Sequence, residues 1–442
     1  MKSATELSPR ALALTTLLRI DADNAYANLS LDAALRNSTL APADKRLFTT
    51  LVYGVIERKI TLDYCISKLS ERPIASLDPK TLTCLRLGLY QLLFLDRIPP
   101  HAAVNESVAL AGRRAGGFVN ACLREYLRRK ESFPFPKKED GLLPYLSVTY
   151  SVPTALCEKF LSEFGESDTE SILSAFSVHP PVTIALNPTV GARENYLALL
   201  HHAGIEGTPT EHAPYGVTIP SGSAIDALPG FADGYFYVQD EASQICVEAL
   251  GALPGETVID ACACPGSKSF GSALRMRNEG SVRSCDLHES KLSLVRSSAK
   301  RLGITILTAE VRDGKVFDPA LEATADRVLC DVPCSGYGVM GKKPDIRYKD
   351  PATAERLPEI QYAILENCAR YLKPGGTLVY STCTVFSDEN WYNVQKFLAA
   401  HPDFAPEDFT VGTLRSENGM LTLRPDLHRT DGFFIAKMHR NA

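Results

Sequence analysis

Residues 258–287 read VIDACACPGSKSFGSALRMRNEGSVRSCDL. Two short apolar runs, VIDACA (258–263) and VRSCDL (282–287), predict strands, and a glycine-containing loop and a helix lie between them. The same alternation continues through ILTAEV (306–311), RVLCDV (327–332) and GTLVYSTC (376–383), with helical patterns over 289–302 and 354–372. This order predicts a mainly parallel, Rossmann-like α/β sheet with helices on both faces. FFIAKMH (433–439) fits a late antiparallel strand.

The chain before residue 231 has a different pattern. Over the first 130 or so residues, leucines recur at helical spacing, as at Leu82, Leu85 and Leu89, which predicts an all-helical bundle. SFPFPKKEDGLLP (132–144) has the composition of a linker. VTIALNP (182–188) then predicts a strand and ENYLALLHHAG (194–204) a helix. We therefore expect three domains: a helical bundle over 1–135, a small α+β domain over 142–230 and an α/β domain over 231–442.

Composition limits the class of protein. The 442 residues are 45% hydrophobic and 22% charged, which excludes a disordered or collagen-like chain. No apolar run is long enough to cross a bilayer, the start of the chain reads as an amphipathic helix rather than a secretion signal, and twelve cysteines are too few for a disulfide scaffold. We expect a cytoplasmic protein with reduced thiols and no membrane partner.

The net charge of −5 is unevenly distributed. Residues 1–141 hold 21 lysines and arginines against 15 acidic residues, whereas residues 142–442 hold 26 against 37. A basic module joined to an acidic one suggests that the first part meets a polyanion such as RNA. Arg113, Arg114 and Arg128 belong to an arginine cluster on its last helix, which is either a solvated face or a patch that contacts phosphates.

Ligands of parallel sheets bind in the loops after the carboxyl ends of the strands. The first such loop, DACACPGSK (260–268), matches neither the GxGxxG dinucleotide fingerprint nor a Walker A loop, so a phosphate cradle is disfavoured. Asp286 ends the next strand, where a carboxylate accepts hydrogen bonds from the ribose hydroxyls of a nucleoside-type cofactor. Asp313, after the third strand, is a candidate partner for an adenine amino group.

Two later loops each carry a cysteine: Cys334 in DVPCSGYGV (331–339) and Cys383 in YSTCTV (380–385). Such thiols are packing residues, metal ligands or nucleophiles. The chain lacks the CxxC pairs and histidine partners of a zinc site, so we expect no metal. Together with Asp331 and a nucleoside-type cofactor, the thiols suggest covalent activation of an electron-poor ring.

The order DACACPGSK, DVPCSGYGV…KKPDIRY, LVYSTCTVFSDEN and DGFFIAK resembles the RNA (cytosine-5) methyltransferases of the Sun/Fmu family. LRLGLYQLLFLDRIPPHAAVNESVALA (85–111) and FVNACLR (118–124) resemble the NusB-type RNA-binding domain, a fusion typical of bacterial members that act on 16S rRNA. The match covers nearly the whole chain, and the paired PCSG and STC motifs are highly specific.

The resemblance implies methyl transfer from S-adenosylmethionine to C5 of a cytosine in small-subunit ribosomal RNA. Cys383 would add to cytosine C6, Cys334 would assist release, and Asp331 would hydrogen-bond the N3 edge, donate a proton and border the cofactor. Asp286 would hold the ribose and Asp313 the adenine. The methionine end would be wrapped by Cys262, Ala263, Cys264, Pro265, Gly266, Ser267 and Lys268.

The resemblance also implies a partner and a further RNA contact. Lys342, Lys343 and Arg347, just beyond the PCSG loop, would either clamp RNA phosphates or be ordinary surface charges. The partner would be small-subunit ribosomal RNA. A monomer is the default expectation, which does not come from the resemblance.

Two departures from the family pattern bear on activity. Cys264 and Ser267 replace an alanine and a glycine of the first loop, and Lys342-Lys343 stand where an arginine pair is common. Neither departure touches the proposed catalytic residues, so we expect an active enzyme. The alternatives are a non-catalytic RNA-binding or ribosome assembly factor with the same fold, and a methyltransferase acting on protein or DNA.

Overall fold

The computed structural model describes residues 7–23, 26–178, 180–349 and 351–442. The chain forms two compact units. The first comprises Met1–Ser177 with Lys343–Lys349, and the second comprises Val178–Lys342 with Asp350–Ala442. The helix predicted at the start of the chain is described from Pro9 onward, and residues 1–6 of that prediction lie outside the described residues.

The first unit is helical throughout its described part, as predicted for the bundle. Its α-helices are α1 (Pro9–Asp23), α2 (Ala27–Arg36), α3 (Pro42–Glu57), α4 (Lys59–Leu69), α5 (Pro79–Phe94), α6 (Pro100–Arg129), α7 (Leu142–Tyr150) and α8 (Thr154–Phe176). Helices α6 and α8 each bend at a glycine with positive φ, Gly112 and Gly165. A glycine can adopt this conformation without the steric cost that a Cβ imposes.

The predicted apolar face of α5 packs into the core of this unit. Leu85 and Leu89 are fully buried, whereas Leu82 is only partly covered. The helix begins where the Asp78 side chain accepts a hydrogen bond from the Thr81 N–H at 3.0 Å, which satisfies a backbone donor of the first turn.

The second unit begins with a small antiparallel sheet. Its elements are β1 (Val182–Leu186), α9 (Arg193–His202), β2 (Thr208–Pro209), β3 (Gly216–Ile219) and β4 (Phe236–Val238), with the strand order β2-β3-β1-β4. The side chains of Ile184, Leu200 and Phe236 are fully buried between this sheet and α9. The strand and helix predicted here are therefore confirmed.

An eight-stranded sheet follows in the described part of the second unit, in the order β10-β14-β9-β8-β5-β6-β7, with β13 paired to β14. Strands β5 to β9 run parallel, and β14 pairs antiparallel with β9 and also with β10 and β13. The strands are β5 (Thr257–Asp260), β6 (Ser281–Asp286), β7 (Leu307–Val311), β8 (Ala325–Asp331), β9 (Leu372–Thr382), β10 (Phe404–Pro406), β11 (Thr410–Val411), β12 (Leu414–Arg415), β13 (Met420–Leu423) and β14 (Phe433–Arg440). The predicted parallel sheet and its late antiparallel strand are confirmed.

Helices connect these strands and cover the sheet. They are α10 (Glu241–Leu250), α11 (Ser267–Arg275), α12 (Glu289–Arg301), α13 (Pro351–Glu355), α14 (Leu357–Ala369), α15 (Trp391–Ala400) and α16 (Pro425–His428). The helix predicted over 354–372 is shorter than expected, because β9 already begins at Leu372. Across the described residues, no helix has the length and apolarity needed to span a membrane.

Candidate functional site

The two predicted cysteines meet because the strands that carry them are neighbours. β8 pairs with β9 in parallel, with Asp331 opposite Ser381, so the loops after both strands leave the sheet side by side. The Sγ atoms of Cys334 and Cys383 lie 3.0 Å apart, and the Cys383 N–H donates to Cys334 Sγ at 3.2 Å. Both cysteines are half-buried and lie outside any disulfide bond. The site therefore holds two thiols in direct contact.

The surroundings of Cys334 favour its protonated form. The pKa of Cys334 is raised well above its usual range. The largest cause is the hydrogen bond with Cys383, and burial and the nearby charges of Cys383 and Glu389 add to it. Burial likewise raises the pKa of Cys262 well above its usual range, and burial together with Asp286 raises the pKa of Cys264 to about 12. The two cysteines of the first loop are therefore thiols at neutral pH, which does not suit them to nucleophilic attack.

Asp331 is held by two donors. The Lys268 Nζ lies 2.6 Å from Asp331 Oδ2, and the Ser381 hydroxyl donates to Oδ1 at 2.8 Å. Burial lowers the pKa of Lys268, but the charges of Asp331, Cys246 and Asp260 and the hydrogen bond to Asp331 together outweigh it. The pKa is raised, so Lys268 carries its charge. The Lys268 ammonium also lies over the Phe433 ring, 5.0 Å from its centroid. The carboxylate thus has a fixed orientation and an ammonium as its neighbour.

The loops after β5, β6 and β7 adjoin one another. The Ala263 N–H donates to the Cys285 carbonyl at 2.8 Å, which holds the first loop against the end of β6. A Cβ on Gly314, beside Asp313, would lie 3.8 Å from the Ala261 carbonyl. Asp286 and Asp313 are half-buried where β6 ends and just after β7, and their role in holding a cofactor stays a prediction.

The donor set of these loops fits a nucleoside-type cofactor. Two carboxylates suit hydroxyl and amino donors, while Leu287 and Val311 expose apolar surface beside them. Gly266 has a φ of 107° immediately before α11, and a Cβ there would approach the Phe270 ring to 2.6 Å. The loop therefore requires glycine at 266, while Ser267 begins the helix and remains partly exposed.

A buried carboxylate that sequence reasoning missed braces the Cys334 loop. Glu389 is 1% exposed, and its Oε2 accepts hydrogen bonds from the Ser335 N–H at 2.9 Å and from Gln361 Nε2 at 2.8 Å. Burial raises the pKa of Glu389. The same Gln361 amide donates to the Pro333 carbonyl at 3.0 Å. Glu389 belongs to the FSDEN run, so its motif was recognised, but its partner loop could not be read from the sequence.

Glycines bring a third segment to the site. The Gly338 N–H donates to the Cys383 carbonyl at 3.0 Å, and the Gly432 N–H donates to the Gly338 carbonyl at 2.8 Å. The PCSGYG loop, the STC loop and the DGFF segment are thus in backbone contact. Among the described residues, no group of three or more histidine, cysteine or acidic side chains is arranged to hold a metal.

The three arginines predicted to contact RNA lie on the second half of α6. Arg113 and Arg114 are exposed and follow the bend at Gly112. Arg128 is exposed as well, but its Nε donates to Glu125 at 2.9 Å, so part of its charge is compensated. Arg113 and Arg114 are therefore presented to solvent, with Arg114 close enough to Asp78 for its charge to act on that carboxylate, and their role in RNA binding stays a prediction.

The prediction of an RNA clamp after the PCSG loop needs correction at Lys342. Its ammonium forms ion pairs with Asp240 and with Asp431, at 3.0 Å from the latter. These carboxylates hold the side chain within the second unit, so it is not presented to a phosphate. Lys343 is exposed and keeps the predicted role.

Arg347 requires the same correction for a different reason. The residue is 3% exposed within the first unit, where its guanidinium donates to the backbone carbonyls of Glu57, Tyr150 and Ser151 at 3.1–3.2 Å. Tyr348 beside it donates to the Ile56 carbonyl at 2.9 Å. Arg347 therefore anchors the segment Lys343–Lys349 in the helical unit instead of facing RNA.

Family models match three parts of the chain. Residues 7–128 match the model described as NusB family, and residues 152–226 match the one described as 'Methyltr_RsmF/B-like, ferredoxin-like domain'. Residues 247–439 match the model described as 16S rRNA methyltransferase RsmB/F. The compact units instead divide the chain after Ser177. The three-domain division stays a prediction.

Curated relatives match along the whole chain. A probable ribosomal RNA small subunit methyltransferase B from Synechocystis sp. is 36% identical over 450 aligned positions, covering 98% of this chain and 100% of the relative. A Bacillus subtilis protein of the same name is 36% identical, covering 98% and 99%.

Solved structures show the same architecture. The crystal structure of PH0851 has a TM-score of 0.81 at 26% identity and covers 98% of this chain and 99% of its own. A methyltransferase homologue from Pyrococcus horikoshii has a TM-score of 0.57 at 25% identity, covering 67% of this chain and 98% of its own.

Proposed function

Because the chain belongs to the RsmB/F family of 16S rRNA methyltransferases, we propose that it methylates C5 of a cytosine in small-subunit ribosomal RNA through a covalent bond from Cys383 to C6. Its membership makes it an RNA methyltransferase that uses S-adenosylmethionine, and the cytosine specificity and the covalent step are what we add. The observation that carries the proposal is the 3.0 Å contact between the two sulfur atoms, with Asp331 ending the strand that leads to Cys334.

Methylation at cytosine C5 requires a covalent step. Cytosine C5 is too weak a nucleophile to take a methyl group directly, but addition of the Cys383 thiolate to C6 makes C5 enamine-like. The Cys334 thiol can donate to Cys383 Sγ and so stabilise that thiolate before it attacks. S-adenosylmethionine, when bound in the crevice beside Asp286 and Asp313, supplies the methyl group as an electrophilic sulfonium.

Asp331 and Lys268 transfer a proton to and from N3 of the pyrimidine. To protonate cytosine N3 as the thiolate adds, the Asp331 carboxylate relays a proton that it takes from the Lys268 ammonium, 2.6 Å away. For release, solvent water takes the C5 proton, the bond from Cys383 to C6 breaks, and N3 returns its proton through Asp331 to Lys268. The Cys334 thiol hydrogen-bonds the departing thiolate. Ser381 keeps the carboxylate oriented throughout.

The RNA partner and the location follow from the same family membership. The target cytosine must be unpaired or flipped out to reach sulfur atoms that are half-buried. We propose that the exposed Arg113 and Arg114 contact phosphates of the same RNA, and that the protein acts in the cytoplasm on ribosomal RNA as a monomer.

The decisive experiment maps 5-methylcytosine by bisulfite sequencing of small-subunit ribosomal RNA from cells with and without this protein. One cytosine should lose its protection when the protein is absent. Methylation of deproteinised ribosomal RNA in vitro would also set aside a protein or DNA substrate. Absence of S-adenosylmethionine affinity by calorimetry, with RNA binding intact, would favour the non-catalytic alternative.

Substitution of the two cysteines separates their roles. Cys383→Ala should abolish methylation and any covalent RNA adduct, whereas Cys334→Ala should accumulate a protein–RNA complex that survives denaturing electrophoresis. Cys122→Ala, in the core of the helical unit, serves as the cysteine control. Substantial methylation by Cys383→Ala would remove that residue from the nucleophile role, and a Cys334→Ala enzyme that releases RNA normally would contradict the release role.

A further inference from the structure

A second pocket lies beside the loop that carries Cys383. It is open, has a volume of about 320 Å³ and is walled by the loop after β9, the first residue of α15, and β13 with the turn before it. Its lining includes Val385, Ser387, Trp391, Glu417, Met420 and Phe434. Phe434 pairs in register with Thr382, the residue before Cys383, so the pocket lies at the carboxyl edge of the sheet. The mechanism above uses none of these lining residues.

An exposed indole forms one wall of this pocket. Trp391 is the only tryptophan of the chain, and 47% of its surface is exposed. Tyr392 is 60% exposed and meets it edge to face, with 5.2 Å between ring centroids. Large aromatic side chains usually bury most of their area, so two neighbouring exposed rings at the rim of a pocket suit a partner that stacks on them.

Hydrogen bonds fix the indole relative to the nucleophile. The Thr382 hydroxyl donates to Asn390 Oδ1 at 2.5 Å, and Asn390 Nδ2 donates to the Thr384 carbonyl at 3.0 Å. The two residues that flank Cys383 are therefore both bonded to the residue that precedes Trp391. Because Asn390 is buried and bonded on both sides, the distance from Trp391 to Cys383 is set by the fold.

The charge of the pocket decides whether it suits the phosphate or the base of a nucleotide. In the described part of the chain, no lysine or arginine stands among its lining residues, whereas Glu417 adds a carboxylate. A phosphate is disfavoured there, whereas the Trp391 ring beside polar lining residues such as Asn418 and Thr422 suits a nucleobase, which offers a flat face and a hydrogen-bonding edge. When a cytosine is flipped into the catalytic site, its neighbour loses a stacking partner, and an aromatic side chain can take that place.

We propose that Trp391 is the stacking platform for an unpaired nucleobase adjacent to the target cytosine. This inference rests on the proposed function, because it takes the substrate to be single-stranded RNA held at Cys383. Trp391 acts as a binding residue and takes no part in the chemistry. Stacking of one base on an aromatic side chain strengthens single-strand binding by roughly 5-fold to 100-fold.

The single tryptophan makes the test direct. Oligocytidylate is titrated into the full-length Cys383→Ala protein, which cannot react, while tryptophan fluorescence and the anisotropy of labelled RNA are followed together. We expect saturable quenching in parallel with binding, and weaker quenching by an RNA duplex of the same length. Trp391→Ala should weaken binding at least about fivefold, and Trp391→Phe should restore most of it. Tyr215→Ala, which removes an exposed aromatic outside this pocket, is the matched control and should bind as its parent does.

Two results would overturn the proposal: RNA binding without any change in fluorescence, or Trp391→Ala and Trp391→Phe proteins that bind RNA equally well. With the reactive Cys383 restored, Trp391→Ala should raise KM for RNA more than it lowers kcat. If the reactive protein methylates no ribosomal RNA while quenching persists, the proposed function fails and the stacking site stands. If methylation is intact and quenching is absent, only the stacking site fails.

Discussion

Asp260 and Asp331 each end a parallel strand, and their surroundings give them different properties. Asp331 meets the Lys268 ammonium and the Ser381 hydroxyl. Asp260 is 1% exposed and accepts a hydrogen bond from the Ser269 hydroxyl at 2.6 Å. Burial raises the pKa of Asp260 to about 7, and the hydrogen bond only partly opposes this. Asp260 is therefore a carboxyl group that folding tends to keep protonated.

This burial predicts a pH dependence of stability. Between about pH 4 and about pH 7 the folded protein holds a proton on Asp260 that the unfolded chain has released, so the free energy of unfolding falls as pH rises through this window. The slope is at most about 1.4 kcal/mol per pH unit. In Asp260→Asn this contribution is absent. Urea denaturation of both proteins across the window should show the wild type losing stability relative to the variant, and parallel curves would contradict the assignment.

The PCSGYG loop, the STC loop and the DGFF segment come together at the site because the backbones at Gly338 and Gly432 approach closely. A Cβ on Gly338 would lie 1.9 Å from the Gly432 carbonyl oxygen and 2.8 Å from the Cys383 carbonyl oxygen. Both neighbours are backbone atoms, which cannot rotate away as a side chain can. Any larger residue at 338 must therefore separate the PCSGYG loop from the STC loop.

Gly338→Ala should consequently lower kcat at least about tenfold, because the displaced loop carries Cys334 and loses the bond from the Gly338 N–H to the Cys383 carbonyl. Single-turnover methylation measures this, with circular dichroism as the check that the fold persists. Gly117→Ala is the control, since a Cβ there meets nothing within 4 Å and alanine is the better helix former. A Gly338→Ala enzyme as fast as the Gly117→Ala enzyme would show that the close approach is dispensable.

On the scale of the whole molecule, the two units differ in charge, and the chain passes between them more than once. The basic excess lies in residues 1–141, which contribute to the helical unit, and the acidic excess lies in the remainder. The chain also leaves the second unit after Lys342, contributes Lys343–Lys349 to the first and then returns. The segment that follows the PCSG loop therefore belongs structurally to the helical unit, where Arg347 is buried.

Replacing Arg113, Arg114 and Arg128 together should weaken RNA binding and flatten its dependence on salt. For single-stranded RNA, each lost phosphate contact reduces the slope of log K against log salt by about 0.7, so three contacts correspond to roughly 2. Affinities measured by filter binding at several salt concentrations give the slope. Arg296→Ala, which removes a charge already paired with Glu289, should leave it unchanged. An unchanged slope in the triple variant would mean that the arginines are solvated surface only.

The sequence by itself determined the strand and helix order, the parallel sheet and the loops that carry Cys334, Cys383, Asp286 and Asp313. These features follow from local periodicity and from glycine and proline positions, which are written into short stretches of chain. The sequence does not show, by contrast, which residue a lysine or arginine pairs with or whether it is buried. Only the tertiary structure decided that Lys342 is paired with Asp240 and Asp431 and that Arg347 is buried.

The same reason explains what the sequence could not assign within the site. The contacts of Lys268 with Asp331 and of Glu389 with Ser335 join residues more than fifty positions apart, so no local pattern encodes them. Strand order brings such residues together, and each carboxylate then finds its hydrogen-bond partners in the neighbouring loop. The sequence named the reacting groups, and the packing of the sheet edge determined which of them touch.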